Sequence, residues 1–353
     1  MGEPVPYGES SSTLYRAARR KPRRSGRPRR DRPGRRWWRA LLLVLLVLVV
    51  LAVAAVAVTY FWAGSRLKDT EALADYPGRP GQGKGTNWLI IGSDTRSDLS
   101  GKERKELHVG GGGQRNTDTV MVLHHGEAGP YLVSIPRDSY VTVPGHGRGK
   151  INSAYAQGGP KLLTRTVEQA TGLRLDHYAE VDFLGFTHVV DALDGVRICL
   201  DEPLHDKKSG ADLRAGCQTL DGKQALAFVR ARYSDPRGDL GRVTRQRQLL
   251  SALVREGTGA SVVLDPFRLY PFLAASLDAV TVDNGTGVGS LTRMAWNVRG
   301  LTGGKGGTTT VPVTNAGLNV PGVGSVVVWK PRGARTLFKQ LRRDVPITAS
   351  TVK

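Results

Sequence analysis

From residue 40 to residue 58 the chain sets nineteen consecutive residues without a charge or a proline, nearly all Leu, Val or Ala. A helix rises 1.5 Å per residue, so this run covers roughly the 30 Å hydrocarbon core of a bilayer. Trp37, Trp38, Tyr60, Phe61 and Trp62 bracket it, where amphipathic rings favour the membrane interface. A signal-peptide core is shorter, about 7–15 residues, so the pattern favours a transmembrane helix over a cleaved leader.

Beyond residue 86 the periodicity changes to short elements. Asn87-Trp88-Leu89-Ile90-Ile91-Gly92 is an apolar run stopped by glycine, as a buried strand is, and residues 119–124 and 131–135 read the same way. The intervening residues 98–114 are charged, end in four glycines and read as a surface loop. Apolar residues at helical spacing predict helices over 161–171, 183–193, 221–231, 240–255, 266–278 and 290–300, with Asp265-Pro266 opening the fifth. Residues 195–200, 308–313 and 326–329 read as further strands. Strands alternating with helices predict an α/β domain with helices on both faces of a central sheet. The expected division is a disordered basic tail over 1–36, a transmembrane helix over 37–62, a Pro- and Gly-rich linker over 63–85 and a folded domain over 86–345.

Charge adds an orientation. Of the net +20, the first 39 residues hold +10, from 13 Lys and Arg against Glu3, Glu9 and Asp31. Such a tail has too little apolar surface to fold, and by the positive-inside rule it stays cytoplasmic, which places the domain outside the cell. A basic tail also suits nucleic-acid phosphates, the basis of a rival reading as a membrane-bound transcriptional regulator. The tail has no helix-turn-helix pattern and no aromatics interleaved before Trp37, so topology and attraction to anionic lipid are the preferred explanation and no nucleic acid is expected. Cys199 and Cys217 are the only cysteines. Outside the cell they suggest a disulfide closing a loop of about nineteen residues, with two buried thiols as the alternative.

The candidate chemistry lies at the predicted strand ends. Asp94 follows the first strand and Asp118 precedes the second, so the two carboxylates can meet at one sheet edge. Two hard oxygen ligands completed by phosphate and water are a usual way to hold Mg²⁺, or Mn²⁺ in its place. Taken singly, either Asp is more often a turn or cap residue. Arg137 leaves the third strand behind Pro136 and carries a fork suited to phosphate, with an ion pair to Asp138 as its plain alternative. Arg230 and Arg232 face one ligand only if the helix ends between them. Arg242 and Gln246 share a helical face, whereas Arg245 and Arg247 point elsewhere and read as solvated. Arg115 and Lys150, each after a Gly-rich stretch, add charge. No histidine has a metal or triad spacing, and Ser93 is not in a Gly-x-Ser-x-Gly elbow.

The strings Ile91-Gly92-Ser93-Asp94-Thr95-Arg96, Arg115-Asn116-Thr117-Asp118-Thr119, Ser134-Ile135-Pro136-Arg137-Asp138, Arg230-Ala231-Arg232 and Gly241-Arg242-Val243-Thr244-Arg245-Gln246 together resemble the LytR-CpsA-Psr family of cell-envelope proteins over about residues 86–256. The resemblance implies an α-β-α sandwich with a central mixed sheet, and a membrane-anchored phosphotransferase. That enzyme would move a glycopolymer from a polyprenyl-pyrophosphate carrier to peptidoglycan through a phosphodiester link. It implies Asp94 and Asp118 as magnesium ligands, and Arg137, Arg230, Arg232, Arg242 and Gln246 on the pyrophosphate, joined by Lys150 and Arg115. Asp94, Asp118, Arg137 and Arg232 are the expected catalytic group. Arg115 stands one residue further from Asp118 than the family pattern has it. A pyrophosphatase that hydrolyses the same carrier is the second enzymatic reading.

Overall fold

The computed structural model describes residues 34–93, 117–231, 239–301 and 306–348. The chain divides into two units, Met1–Val56 and Ala57–Lys353. Helix α1 (Gly34–Arg66) contains the apolar run; its stretch Trp37–Arg66 is, among the described residues, the one helix long and apolar enough to cross a membrane, and none of its most apolar eighteen-residue window is buried within the protein. Its length and composition suit a single-pass anchor. The basic tail over 1–33 lies outside the described residues.

In the second unit a seven-stranded mixed sheet forms the middle layer. It contains β1 (Lys68–Thr70), β2 (Thr86–Ser93), β3 (Thr117–His125), β4 (Tyr131–Ile135), β7 (His177–Asp182), β12 (Val280–Asp283) and β13 (Gly307–Thr310), in the order β1-β12-β7-β2-β3-β4-β13. β2 runs parallel to β7 and antiparallel to β3, and β3 is antiparallel to β4. Alternation along each strand divides the apolar residues between the two faces. Leu89, Ile91, Val120, Val122, Val133 and Tyr178 meet α2 (Ile151–Thr171) and α9 (Pro331–Arg343), whereas Trp88, Met121, Leu123, Leu132 and Ala179 meet α5 (Asp239–Gly257) and α8 (Val288–Arg299). This is the expected sandwich.

A second core lies beside the sheet. There α3 (Phe183–Asp191), α4 (Gly222–Arg230) and α5 pack on the short strands β8 (Val196–Leu200), β9 (Leu204–Asp206), β10 (Ala211–Leu213) and β11 (Gly216–Leu220). β8 and β11 pair antiparallel with Cys199 opposite Cys217, and the two are joined as a disulfide. Outside these layers lie the hairpins β5 (Tyr140–Val143)–β6 (Gly147–Lys150) and β14 (Val313–Val320)–β15 (Gly324–Trp329), the turn of helix α6 (Ala260–Val263), and α7 (Pro266–Asp278).

Three differences from the sequence reading have simple causes. The stretch expected as a linker supplies β1 to the sheet, and Ala72 is buried, because Asp283 Oδ1 accepts hydrogen bonds from the Ala72 and Leu73 amides. Arg79 from the same stretch reaches the buried Glu168 of α2 through both Nε and Nη2. The helix expected over 161–171 begins at Ile151, because Ile151, Ala154 and Tyr155 bury a first helical piece ahead of the break at Gly158 and Gly159. β7, β12 and α9 were not foreseen.

Three histidines make the fold sensitive to acid. His124 is fully buried, with Nδ1 on Asn87 Oδ1 at 2.8 Å and Nε2 3.4 Å from Asp344 Oδ1. Burial outweighs the Asp344 carboxylate and holds His124 below the ordinary imidazole value; burial, the largest cause for each, lowers His125 and His177 likewise. The unfolded chain therefore takes up these protons first. Their stabilising contribution is complete above the ordinary histidine pKa of about 6.5 and is lost as pH falls below it. The thermal midpoint of the full chain in detergent, followed by circular dichroism, should fall between about pH 7 and about pH 5. A flat profile would contradict the burial of these rings.

Candidate active site

One edge of the sheet gathers the ends of four strands. β2 ends at Ser93, which pairs with Thr117 at the start of β3 and with Asp182 at the end of β7. The β2–β3 ladder shifts register between Gly92 and Ser93, so position 118 occupies a bulge, a feature that re-aims side chains. On the other side of β3, Val120 pairs with Ile135. β4 ends at Ile135 and the chain then turns, the Ser139 amide donating to Pro136 O, so Arg137 follows the strand end that lies beside the start of β3. The edge therefore carries Asp118 in β3 and Arg137 two residues past the end of β4, and Asp94 follows Ser93 in sequence. Asp94, Arg115 and Arg232 lie outside the described residues, as do the side chains of Asp118 and Arg242.

Arg137 and Lys150 meet through Asp138. Lys150 Nζ lies 2.9 Å from Asp138 Oδ1, and Arg137 Nε lies 3.6 Å from Asp138 Oδ2. The plain alternative for Arg137, an ion pair with its neighbour, is thus present. The backbone is fixed here as well, since the Asn152 amide donates to Arg137 O and the Ile151 amide to Ser139 O, which tie this turn to the start of α2.

The cations of α4 and α5 are organised by residues the sequence reading set aside. α4 begins with a capping box between Asp221 and Gln224 and ends at Arg230, where Ala231 turns extended (φ −56°, ψ 130°). That change meets the backbone condition for Arg230 and Arg232 to face one ligand. Arg245, expected to be solvated, is instead buried, and its Nη2 donates to the carbonyl of Ala231. Its neighbour Gln246 donates from Nε2 to Thr119 Oγ1 at 2.8 Å, one residue from Asp118. Two successive residues thereby fasten the end of α4 and the edge of β3 to the same turn of α5. Arg247, also expected to be solvated, donates to Thr310 Oγ1 at 2.6 Å across from Ser134, and burial lowers its pKa. Both expectations fail for one reason: α5 is flanked on more than one side, so residues off the Arg242–Gln246 face still meet protein.

Behind Thr119 and Gln246 opens a cavity of about 330 Å³, walled mainly by apolar side chains including Ile90, Met121, Phe186, Leu226, Leu250 and Val280. Sequence reading from single elements did not find it, because its walls come from β2, β3, β7, β12, α3, α4, α5 and α7. Gly185 of α3 sets the width of one wall: a Cβ there would fall 2.5 Å from Ala279 Cα at the end of α7. Gly185→Ala should cost about 1–3 kcal/mol of stability, as overpacking does, and should weaken binding of a long apolar ligand in a titration. Unchanged stability would show that the wall can yield. Asp182, a third carboxylate at the edge, was also missed; its Oδ1 accepts from the Gly185 amide and caps α3.

Comparison with known proteins decides the family. The model of the LytR_cpsA_psr family matches residues 64–334. The chain belongs to the LytR_cpsA_psr family. It is 44% identical over 287 residues to the Corynebacterium glutamicum protein described as "Probable cell wall biosynthesis protein LcpB", covering 81% of this chain and 67% of that one. Its fold is that of the LytR-Csp2A-Psr enzyme from Actinomyces oris, at a TM-score of 0.61 and 19% identity, covering 79% of this chain and 96% of that one. It is likewise similar to TagT bound to LI-WTA, at a TM-score of 0.55 and 24% identity, covering 79% of this chain and 96% of that one. Within the LytR_cpsA_psr member described here, the family strings fall at the start of β3 (position 118), just past the end of β4 (position 137) and within α5 (position 246).

Proposed function

We propose that this protein is a membrane-anchored phosphotransferase that moves a glycopolymer from a polyprenyl-pyrophosphate carrier to peptidoglycan on the outer side of the membrane. One observation carries the reading: an apolar cavity ends on Thr119 and Gln246, at the strand edge that also holds Asp118 and Arg137. Such a site fits a ligand with a long hydrocarbon tail and an anionic head. The family's TagT, solved with LI-WTA, and the cell-wall name of the corynebacterial relative support the same class of substrate.

Position 118 sits in a bulge beside the end of β2, the strand that Asp94 follows in sequence, and two such carboxylates would offer hard oxygen ligands that phosphate oxygens and water complete around a divalent cation. Asp94 and Asp118 would hold Mg²⁺, or Mn²⁺, which when bound supplies positive charge to the diphosphate. Arg137, Lys150, Arg230, Arg232, Arg242 and Gln246, joined by Arg115, would bind the diphosphate and balance the charge that grows on the departing polyprenyl phosphate. A hydroxyl of peptidoglycan attacks the sugar-linked phosphorus, the bond to the bridging oxygen breaks, and a phosphodiester remains. Holding donor and acceptor in line provides much of the acceleration, with no covalent enzyme intermediate.

The test is to incubate the full chain with a polyprenyl-pyrophosphate oligosaccharide, with and without peptidoglycan. Transfer predicts polymer linked to peptidoglycan and little release without it. Equal release of sugar phosphate in both cases would favour the pyrophosphatase instead.

A further inference from the structure

Val263, Leu264 and Phe267 stand out of the folded unit at 49%, 79% and 90% exposure, at the end of α6, in the turn that follows it and in the first turn of α7. Their position is fixed by the outgoing end of α1. Arg66 pairs with Asp278 at the last turn of α7, while Thr59 and Trp62 both meet Tyr270, through a 2.7 Å hydroxyl contact and ring centroids 5.7 Å apart. As α1 runs back from Arg66 to Thr59, α7 therefore runs back from Asp278 to Tyr270. One turn further along α7 is Phe267, level with or below Thr59, the residue after the apolar run ends.

We propose that Val263, Leu264 and Phe267 insert into the outer leaflet of the bilayer that α1 crosses, making the α6–α7 corner a second membrane contact. Continuity with the span selects lipid as the occupant. An apolar tip one helical turn from Tyr270, which Trp62 meets, with Arg66 and Asp278 a few turns beyond, repeats the hydrocarbon, aromatic and charged levels of a membrane boundary. Asp265 keeps its carboxylate on the Phe267 amide at 2.9 Å, as the cap of α7. Resting on the proposed function, the contact also has a use. Ser276, Ala279 and Val280, at the far end of α7 and the start of β12, line the apolar cavity. Seating α7 in the leaflet holds one wall of that cavity against the membrane that contains a lipid carrier.

Full chain carrying Phe267→Cys, or Leu264→Cys should the first not fold, is labelled with a bimane and placed in phosphatidylglycerol–phosphatidylcholine vesicles. Cys199 and Cys217 are bonded to each other, so the new thiol takes the label. A label at Asp278→Cys, about 16 Å along the same helix, serves as reference. Doxyl groups on the acyl chains should quench the label at 267, and aqueous iodide should reach it at least about fivefold less than the label at 278. Equal quenching of both labels by iodide would overturn the assignment. Protection from both quenchers would also overturn it, by showing a protein occupant such as a second copy. These readouts do not depend on the reaction. In a separate arm, Leu264→Ser with Phe267→Ser should slow turnover of a long-chain donor in vesicles and leave a short-chain soluble donor unaffected. Equal loss on both donors would contradict a role in membrane seating, whereas no turnover of either by the unsubstituted chain would count against the proposed reaction alone.

Discussion

Asp118→Ala, or Asp94→Ala, lowers transfer from the lipid carrier at least about 10²–10³-fold, the usual consequence of losing one group that stabilises developing charge. Stability changes little, because carboxylates gathered around a metal-bound anion repel one another when it is absent. Two measurements separate this result from misfolding. The thermal midpoint should stay level or rise, and binding of a polyprenyl diphosphate titrated with Mg²⁺ should lose its dependence on the metal. Full activity in either variant, after the metal is stripped and restored, would remove these residues from the mechanism.

Arg245→Ala produces the second large effect, and it reverses an expectation drawn from helical spacing. From the sequence, Arg245 points away from the Arg242–Gln246 face and should matter less than Arg242. In the fold it is buried and holds the carbonyl of Ala231, the residue between Arg230 and Arg232. Removing it leaves that carbonyl without this donor inside the protein, at about 1–3 kcal/mol. It also frees the end of α4 that aims the Arg230–Arg232 pair. Arg245→Ala should therefore lower both the unfolding free energy and the affinity for diphosphate, while Arg242→Ala lowers affinity and transfer with little change in stability. Unfolding in denaturant and a binding titration on both variants check the contrast. An Arg245→Ala protein of unchanged stability would return this residue to the solvent.

How much of this was legible in the sequence follows from where each signal resides. Strand cores such as Trp88 to Ile91 announce themselves because both faces of the central sheet are covered, which leaves an unbroken apolar run. The placement of Asp118 and Arg137 at strand ends was readable for the same reason: the runs stop there. Ala334, Leu337, Phe338 and Leu341 carry helical spacing, so α9 was present in the pattern, though diluted by five Lys and Arg along thirteen residues. β12 and β1 were hidden by their length of four and three residues, too short for alternation to show. The role of Arg245 and the apolar cavity could not be read from any single segment, because each depends on elements distant in sequence coming to one place.

The central claim is that acidic and guanidinium side chains at the ends of β2, β3 and β4 receive the diphosphate of a lipid whose tail enters the cavity behind Thr119. A crystal structure of the chain with a polyprenyl diphosphate and Mn²⁺, located by its anomalous signal, tests this directly. The account predicts diphosphate oxygens within about 3 Å of Arg137 and Gln246, the metal at Asp94 and Asp118, and hydrocarbon between Phe186 and Leu250. A diphosphate bound elsewhere, with that cavity empty of the chain, would contradict it.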